Sequence, residues 1–91
     1  MNLYTKNGRP LKVIRDIVYS RSGKAVGRIR DKYVYGPNGR YAGTLIDNRV
    51  IYRSVDSARI GTPFAATSTV GFALANAVGV ATWGDEPDFP D

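Results

Sequence analysis

Three stretches of this chain align with one another: LYTKNGRPLKVIRD from Leu3, VYSRSGKAVGRIRD from Val18 and VYGPNGRYAGTLID from Val34. Aligned on tyrosine, Tyr4, Tyr19, Tyr35 and Tyr52 stand 15, 16 and 17 residues apart, each preceded by an aliphatic: Leu3, Val18, Val34 and Ile51. Four residues after each of the first three tyrosines comes Gly8, Gly23 or Gly39, followed at once by a base, Arg9, Lys24 or Arg40. Lys12, Gly27 and Gly43 follow the tyrosines by eight residues, Ile14, Ile29 and Leu45 by ten, and Asp16, Asp31 and Asp47 by twelve. The fourth unit, VIYRSVDSARIGTPF, keeps the Ile-Tyr start and places Asp56-Ser57 where the others have their glycine.

A period this short excludes a helical repeat and selects the hairpin. TKNGR, SRSGK and GPNGR are polar and put glycine after Asn or Ser, where a tight reversal needs a backbone with φ > 0. The flanks are about five residues long and rich in Val, Ile and Tyr, so they are strands. The expected architecture is an antiparallel meander of about eight short strands, giving four hairpins about a pseudo-four-fold axis. Alternation turns the aliphatic before each tyrosine, with Ile14, Ile29 and Leu45, inward. It puts Arg15, Arg28 and Arg30 on the opposite face. Gly27 and Gly43 then mark crowding near the axis where a side chain would not fit.

Residues 62–83 break the pattern. TPFAATSTVGFALANAVGVATW opens with Thr-Pro, which suits a helix start, and Gly71, Ala75 and Gly79 fall at four-residue spacing. These features predict one helix, apolar nearly all round, with the three small residues as its packing interface against the hairpins or a second chain. A strand pair is the competing reading. Charge divides the chain the same way. All 13 Lys and Arg lie between Lys6 and Arg59, no charged residue occurs from Ile60 to Gly84, and DEPDFPD closes the sequence. The expected division is a hairpin domain over residues 1–63, an apolar helix over 64–83 and an acidic extended tail over 84–91.

Four tandem units of the VYSRSGKAVGRIRD type, over roughly residues 1–63, resemble the small bacterial proteins described as a four-fold β-flower, in which hairpins sit like petals about an axis. They are also similar to the hairpin repeats of larger bacterial surface and toxin-delivery shells. The resemblance implies a fold. It brings no activity and no catalytic residues.

Composition narrows the chemistry. With no cysteine and no histidine, the chain lacks thiolate ligands, the commonest metal ligand and the commonest general base near neutral pH. No enzyme signature and no cofactor is expected. The favoured reading is a non-enzymatic structural or protein-interaction module, with a protein partner or self-association. The alternative is a binder of nucleic acid or another polyanion through Arg9, Lys24 and Arg40. A further alternative is a membrane-active or effector fragment using residues 64–83, but six hydroxyl or amide side chains in the uncharged run from Ile60 to Gly84 weigh against insertion.

Tyr4, Tyr19, Tyr35 and Tyr52 could stack bases, but tyrosine is also a common strand residue. Asp16, Asp31 and Asp47 could ring a cation, but Asp at strand ends commonly bonds turn amides. Both sets are read as structural. The first residues hold no apolar run of secretory length, so the expected compartment is the cytoplasm or export without a classical signal.

Overall fold

The computed structural model describes residues 3–65 and 67–90. Seven short strands follow one another: β1 (Leu3–Thr5), β2 (Pro10–Ile14), β3 (Ile17–Tyr19), β4 (Ala25–Arg30), β5 (Tyr33–Tyr35), β6 (Tyr41–Ile46) and β7 (Arg49–Ile51). Each pairs antiparallel with the next, and β7 returns to lie parallel to β1, closing a ring. The closure is made by Tyr4 N donating to Asn48 O at 2.9 Å and Lys6 N to Val50 O at 3.0 Å. The molecule is a disc of 33 × 32 × 19 Å.

The core lies on the axis of the disc. Leu3, Val18, Val34 and Val50 are fully buried and form one cluster with Leu11, Val26 and Phe89, on which Val13, Ile29, Ala42 and Leu45 also pack. A fully buried aliphatic side chain contributes about 1.5–3 kcal/mol. The four central ones together therefore contribute about 6–12 kcal/mol on this scale.

The structure explains the uneven 15- and 16-residue spacing. Leu3↔Leu11 and Tyr4↔Pro10 pair in regular register in the first hairpin. In the second, Val18↔Gly27 is followed by Tyr19↔Ala25, leaving Val26 as a bulge, and in the third Ala42 is bulged between Gly43 and Tyr41 in the same way. The bulge is the extra residue of the longer repeats. In register, Val18, Val34 and Val50 are equivalent, as are Val13, Ile29 and Leu45. Ile51, not Tyr52, is the counterpart of Tyr35, and Ile14, expected inside, is 39% exposed.

The C-terminal helix expected over residues 64–83 does not form. After a 3-10 turn at Ser54–Asp56, the described residues carry no helix. The segment instead runs as a belt around the hairpin tips in the order third, second, first. Gly61 N donates to Gly39 O, Thr69 N to Gly23 O and Ala77 N to Gly8 O, at 2.7, 2.7 and 2.8 Å. Phe64 N donates to Pro37 O, Phe72 N to Arg21 O and Val80 N to Lys6 O, at 2.9–3.0 Å. The contacts recur every eight residues, so GTPFAATS, TVGFALAN and AVGVATWG are three octads, one per tip.

An eight-residue period contains the four-residue spacing that imitated a helix. Gly71, Ala75 and Gly79 do not form a helix face. A Cβ on Gly71 would stand 2.9 Å from Arg21 O, so this glycine lets the belt approach the second tip, whereas one on Gly79 would be in ordinary contact, 3.5 Å from Lys6 O.

Beyond the belt, the chain completes the fourth hairpin. Tyr52 N donates to Asp85 O at 2.8 Å and Asp85 N to Tyr52 O at 2.7 Å. Gly84, at φ 129°, stands where Gly8, Gly23 and Gly39 stand in the other hairpins. The fourth turn glycine is therefore Gly84, separated from its outgoing strand by the whole belt, and Asp56-Ser57 is not its substitute.

A Cβ on Gly27 would lie 2.5 Å from Val34 Cγ1, and one on Gly43 2.5 Å from Val50 Cγ1. Gly27→Ala and Gly43→Ala are each expected to destabilise the fold by about 1–3 kcal/mol through overpacking of the next hairpin's central valine. Gly36→Ala, whose Cβ would meet only the Asn38 side chain at 3.3 Å among near contacts, is expected to cost less. Urea denaturation of the three variants checks the order.

Candidate functional site

The hairpin tips repeat one hydrogen-bonded geometry. Thr5 N donates to Arg9 O, Ser20 N to Lys24 O and Gly36 N to Arg40 O at 2.7–2.9 Å, with Gly8, Gly23 and Gly39 at φ 94°, 91° and 83°. Arg9, Lys24 and Arg40 thus occupy one repeat place. The fourth hairpin puts Asp85 there.

These three bases have different fates. Arg9 is taken by the C-terminal segment. Its Nε donates to Glu86 Oε2 at 2.7 Å, Nη1 to Phe89 O at 2.9 Å and Nη2 to Pro87 O at 3.1 Å. Glu86 also accepts from Thr5 Oγ1 at 2.8 Å and from Asn7 N at 2.8 Å. With the Arg9 and Glu86 side chains 27% and 23% exposed, this is a partly buried, charge-assisted latch. It holds Phe89 in the core cluster. The segment expected as an acidic extended tail thus meets a base of the hairpin region.

Lys24 and Arg40 line a cleft of about 540 Å³ between the second and third tips. Its apolar walls include Ala25, Val26, Tyr41 and Phe89, and Asn38, Tyr52 and Asp88 stand among its other lining residues. Among the described residues, the Lys24 and Arg40 side chains make no hydrogen bond and no ion pair. A second hollow of about 460 Å³, between Tyr52 and the Ser57 to Ile60 segment, shares Arg40, Tyr41 and Tyr52 with it.

Tyr41 is held rigidly in this wall by a directed network. Arg53 N donates to its hydroxyl at 3.0 Å, and that hydroxyl lies 2.6 Å from Thr44 Oγ1, which is 3.1 Å from Asp56 Oδ2. A carboxylate only accepts. Thr44 therefore gives its proton to Asp56, and Tyr41 donates to Thr44. The Tyr41 and Tyr52 rings sit 5.3 Å apart and those of Tyr33 and Tyr41 6.4 Å, with the Arg59 guanidinium 3.9 Å from the Tyr33 centroid.

The repeated tyrosines do not form one stacking row. Tyr4 lies under Arg49 at 5.4 Å, Tyr35 is buried with Gly61 against its ring, Tyr19 is half-buried on β3, and Tyr52 faces Tyr41. The three aspartates are not equivalent either. Asp31 and Asp47 begin their two-residue turns at φ 57° and 56°, where the first unit has Arg15 at φ 58°, and Asp16 stands one place later, 3.6 Å from Arg28. Among the described residues no group of three or more His, Cys, Asp or Glu is gathered to hold a metal.

Tyr41, Glu86 and Phe89 lay outside the sequence expectations. Tyr41 follows Arg40 directly but belongs to none of the repeat positions chosen there. The signal for Glu86 was Gly84-Asp85, a glycine at a turn-like place at the end of the third octad.

The latch predicts its own importance. Removing the Glu86 carboxylate removes the acceptor of Thr5 Oγ1, Asn7 N and Arg9 Nε in a partly buried site, so Glu86→Ala is expected to lower stability by about 1–3 kcal/mol. It should also raise the exposure of Phe89. Thermal denaturation, with protease cleavage near the C-terminus, measures both.

Residues 1–69 match the family model described as 4-fold beta flower protein. The match ends inside the second octad of the belt. No curated protein and no solved structure matches the chain.

Proposed function

This chain belongs to the 4-fold beta flower family, and on that footing we propose that it is a non-enzymatic protein-interaction module that associates with a second copy of itself through the outward side of the belt. Membership in a family carries the fold and leaves the function to the surfaces built on it. One observation supports this surface above others. Val70 and Val78 take the same place in successive octads and are 81% and 85% exposed, flanked along the belt by Ile60 at 83% and Trp83 at 57%. Apolar side chains repeated in the open on a segment with no charge are what an association surface offers. Backbone hydrogen bonds to the tips hold the belt in place beforehand, which lowers the entropy lost on association. A patch that meets its own copy about a two-fold axis needs no other partner.

The polyanion reading has less support, because Arg9, one of its three bases, is engaged by Glu86. The membrane reading relied on a helix over residues 64–83. Among the described residues, no helix is long and apolar enough to cross a membrane.

Sedimentation velocity over a range of concentrations tests the proposal. The expected result is a reversible species heavier than the 9.9 kDa monomer, with dissociation strengthened at least about tenfold in Val70→Asp/Val78→Asp, a change of about 1.4 kcal/mol. Both side chains are exposed, so melting should move little. A wild-type chain that stays monomeric at millimolar concentration overturns it.

A further inference from the structure

We propose that the cleft between the second and third hairpin tips binds an acidic peptide segment that carries an aromatic residue, in a mode the chain already displays at its first tip. There, one short acidic segment is held by a fixed set of groups. Its carboxylate, from Glu86, accepts from Arg9 Nε and the Asn7 backbone amide, its carbonyls at Phe89 and Pro87 accept from Arg9 Nη1 and Nη2, and its aromatic ring is buried.

The third tip repeats part of this grip without the occupant, with Gly36 in the place of Thr5, whose hydroxyl also donates to Glu86 at the first tip. Arg40 stands in the place of Arg9 and Asn38 in the place of Asn7, and both line the cleft. Among the described residues, neither the Arg40 guanidinium nor the Asn38 amide donates a hydrogen bond. The second tip adds Lys24 to the same cleft. Two cations without partners there face one carboxylate, Asp88, which also lines the cleft and pairs with neither.

The rest of the lining suits a peptide more than a bare anion. Tyr41, fixed by its hydroxyl network, and Tyr52 present paired rings on one side, to which an aromatic side chain can stack. A volume of about 540 Å³ falls within the roughly 300–1,000 Å³ of ligand sites. A carboxylate donated to by both a guanidinium and a backbone amide, with an aromatic side chain seated beside it, is a charge-assisted recognition unit.

This site is distinct from the outward belt positions Val70 and Val78, so it is tested on the Val70→Asp/Val78→Asp chain, where self-association plays no part. The probe is a fluorescein-labelled octapeptide, Gly-Asp-Glu-Pro-Asp-Phe-Pro-Asp, titrated by anisotropy. Saturable binding is expected, weakened at least about tenfold when Lys24→Gln and Arg40→Gln are added. It should be lost when the peptide's acids become amides or its Phe becomes Ala. Both bases are exposed, and an unchanged melting curve shows that the added substitutions leave the fold intact.

Absence of binding at millimolar peptide overturns the proposal. Binding that survives Lys24→Gln/Arg40→Gln also overturns it, since the peptide would then be exchanging with residues 84–90 at Arg9. Competition by a single-stranded oligonucleotide or heparin, with indifference to the peptide's Phe, overturns it in favour of a general polyanion surface.

Discussion

The structure depends on the absence of a side chain at the turn glycines. At Gly8 and Gly23 the belt backbone, at Ala77 O and Thr69 O, occupies the space a Cβ would need, and at Gly39 a Cβ would lie 2.7 Å from Gly61 O. The same residues take φ of 83–94°, a conformation that costs other residues energy. One residue type thus turns the hairpin and admits the belt that crosses it. Without that approach the belt would lose its backbone partners, and residues 84–90 would not be delivered to the open fourth hairpin.

Charge follows the same repeat and then departs from it. Three tips place a base after the glycine and the fourth places Asp85, so the repeat position survives while its sign reverses. Glu86, one residue on, turns that reversal into a contact with Arg9 of the neighbouring first hairpin. Because Glu86 also accepts from Thr5 and Asn7, the carboxylate keeps three donors when half-withdrawn from water. That is the condition under which such a group stabilises rather than weakens a small core.

The hairpins were legible in the sequence because turn chemistry is local. Asn-Gly or Ser-Gly followed by a base reports a reversal wherever it stands, and Leu3, Val18, Val34 and Ile51 were each expected inside and are each fully buried. Register was less legible. A bulge at Val26 or Ala42 changes spacing by one residue without changing composition, so aligning on tyrosine misplaced Tyr52, Ile14 and Asp16 by one. The belt was misread for a different reason. Its partners are backbone carbonyls far away in sequence, and its small residues at four-residue intervals satisfy a helical period as readily as half an octad. The repeated Phe64 and Phe72, and the turn-forming place of Gly84, carried the information that the four-residue spacing concealed. The cleft could not be read at all, because Lys24 and Arg40 stand on different hairpins and Phe89, which completes its wall, arrives from the far end of the chain.

An undistorted four-fold flower would have four equivalent tips and no reason to prefer one gap over another. Inserting a belt between Tyr52 and Asp85 removes that equivalence. It must begin at the fourth hairpin and end there, so three tips are crossed in one direction and the final strand arrives beside the first. Arg9 is therefore the base within reach of Glu86. Lys24 and Arg40, a quarter-turn and more away, keep the same backbone geometry without a carboxylate of their own. The asymmetry that completes the fold thus leaves two of its three repeated cations open toward one apolar cleft.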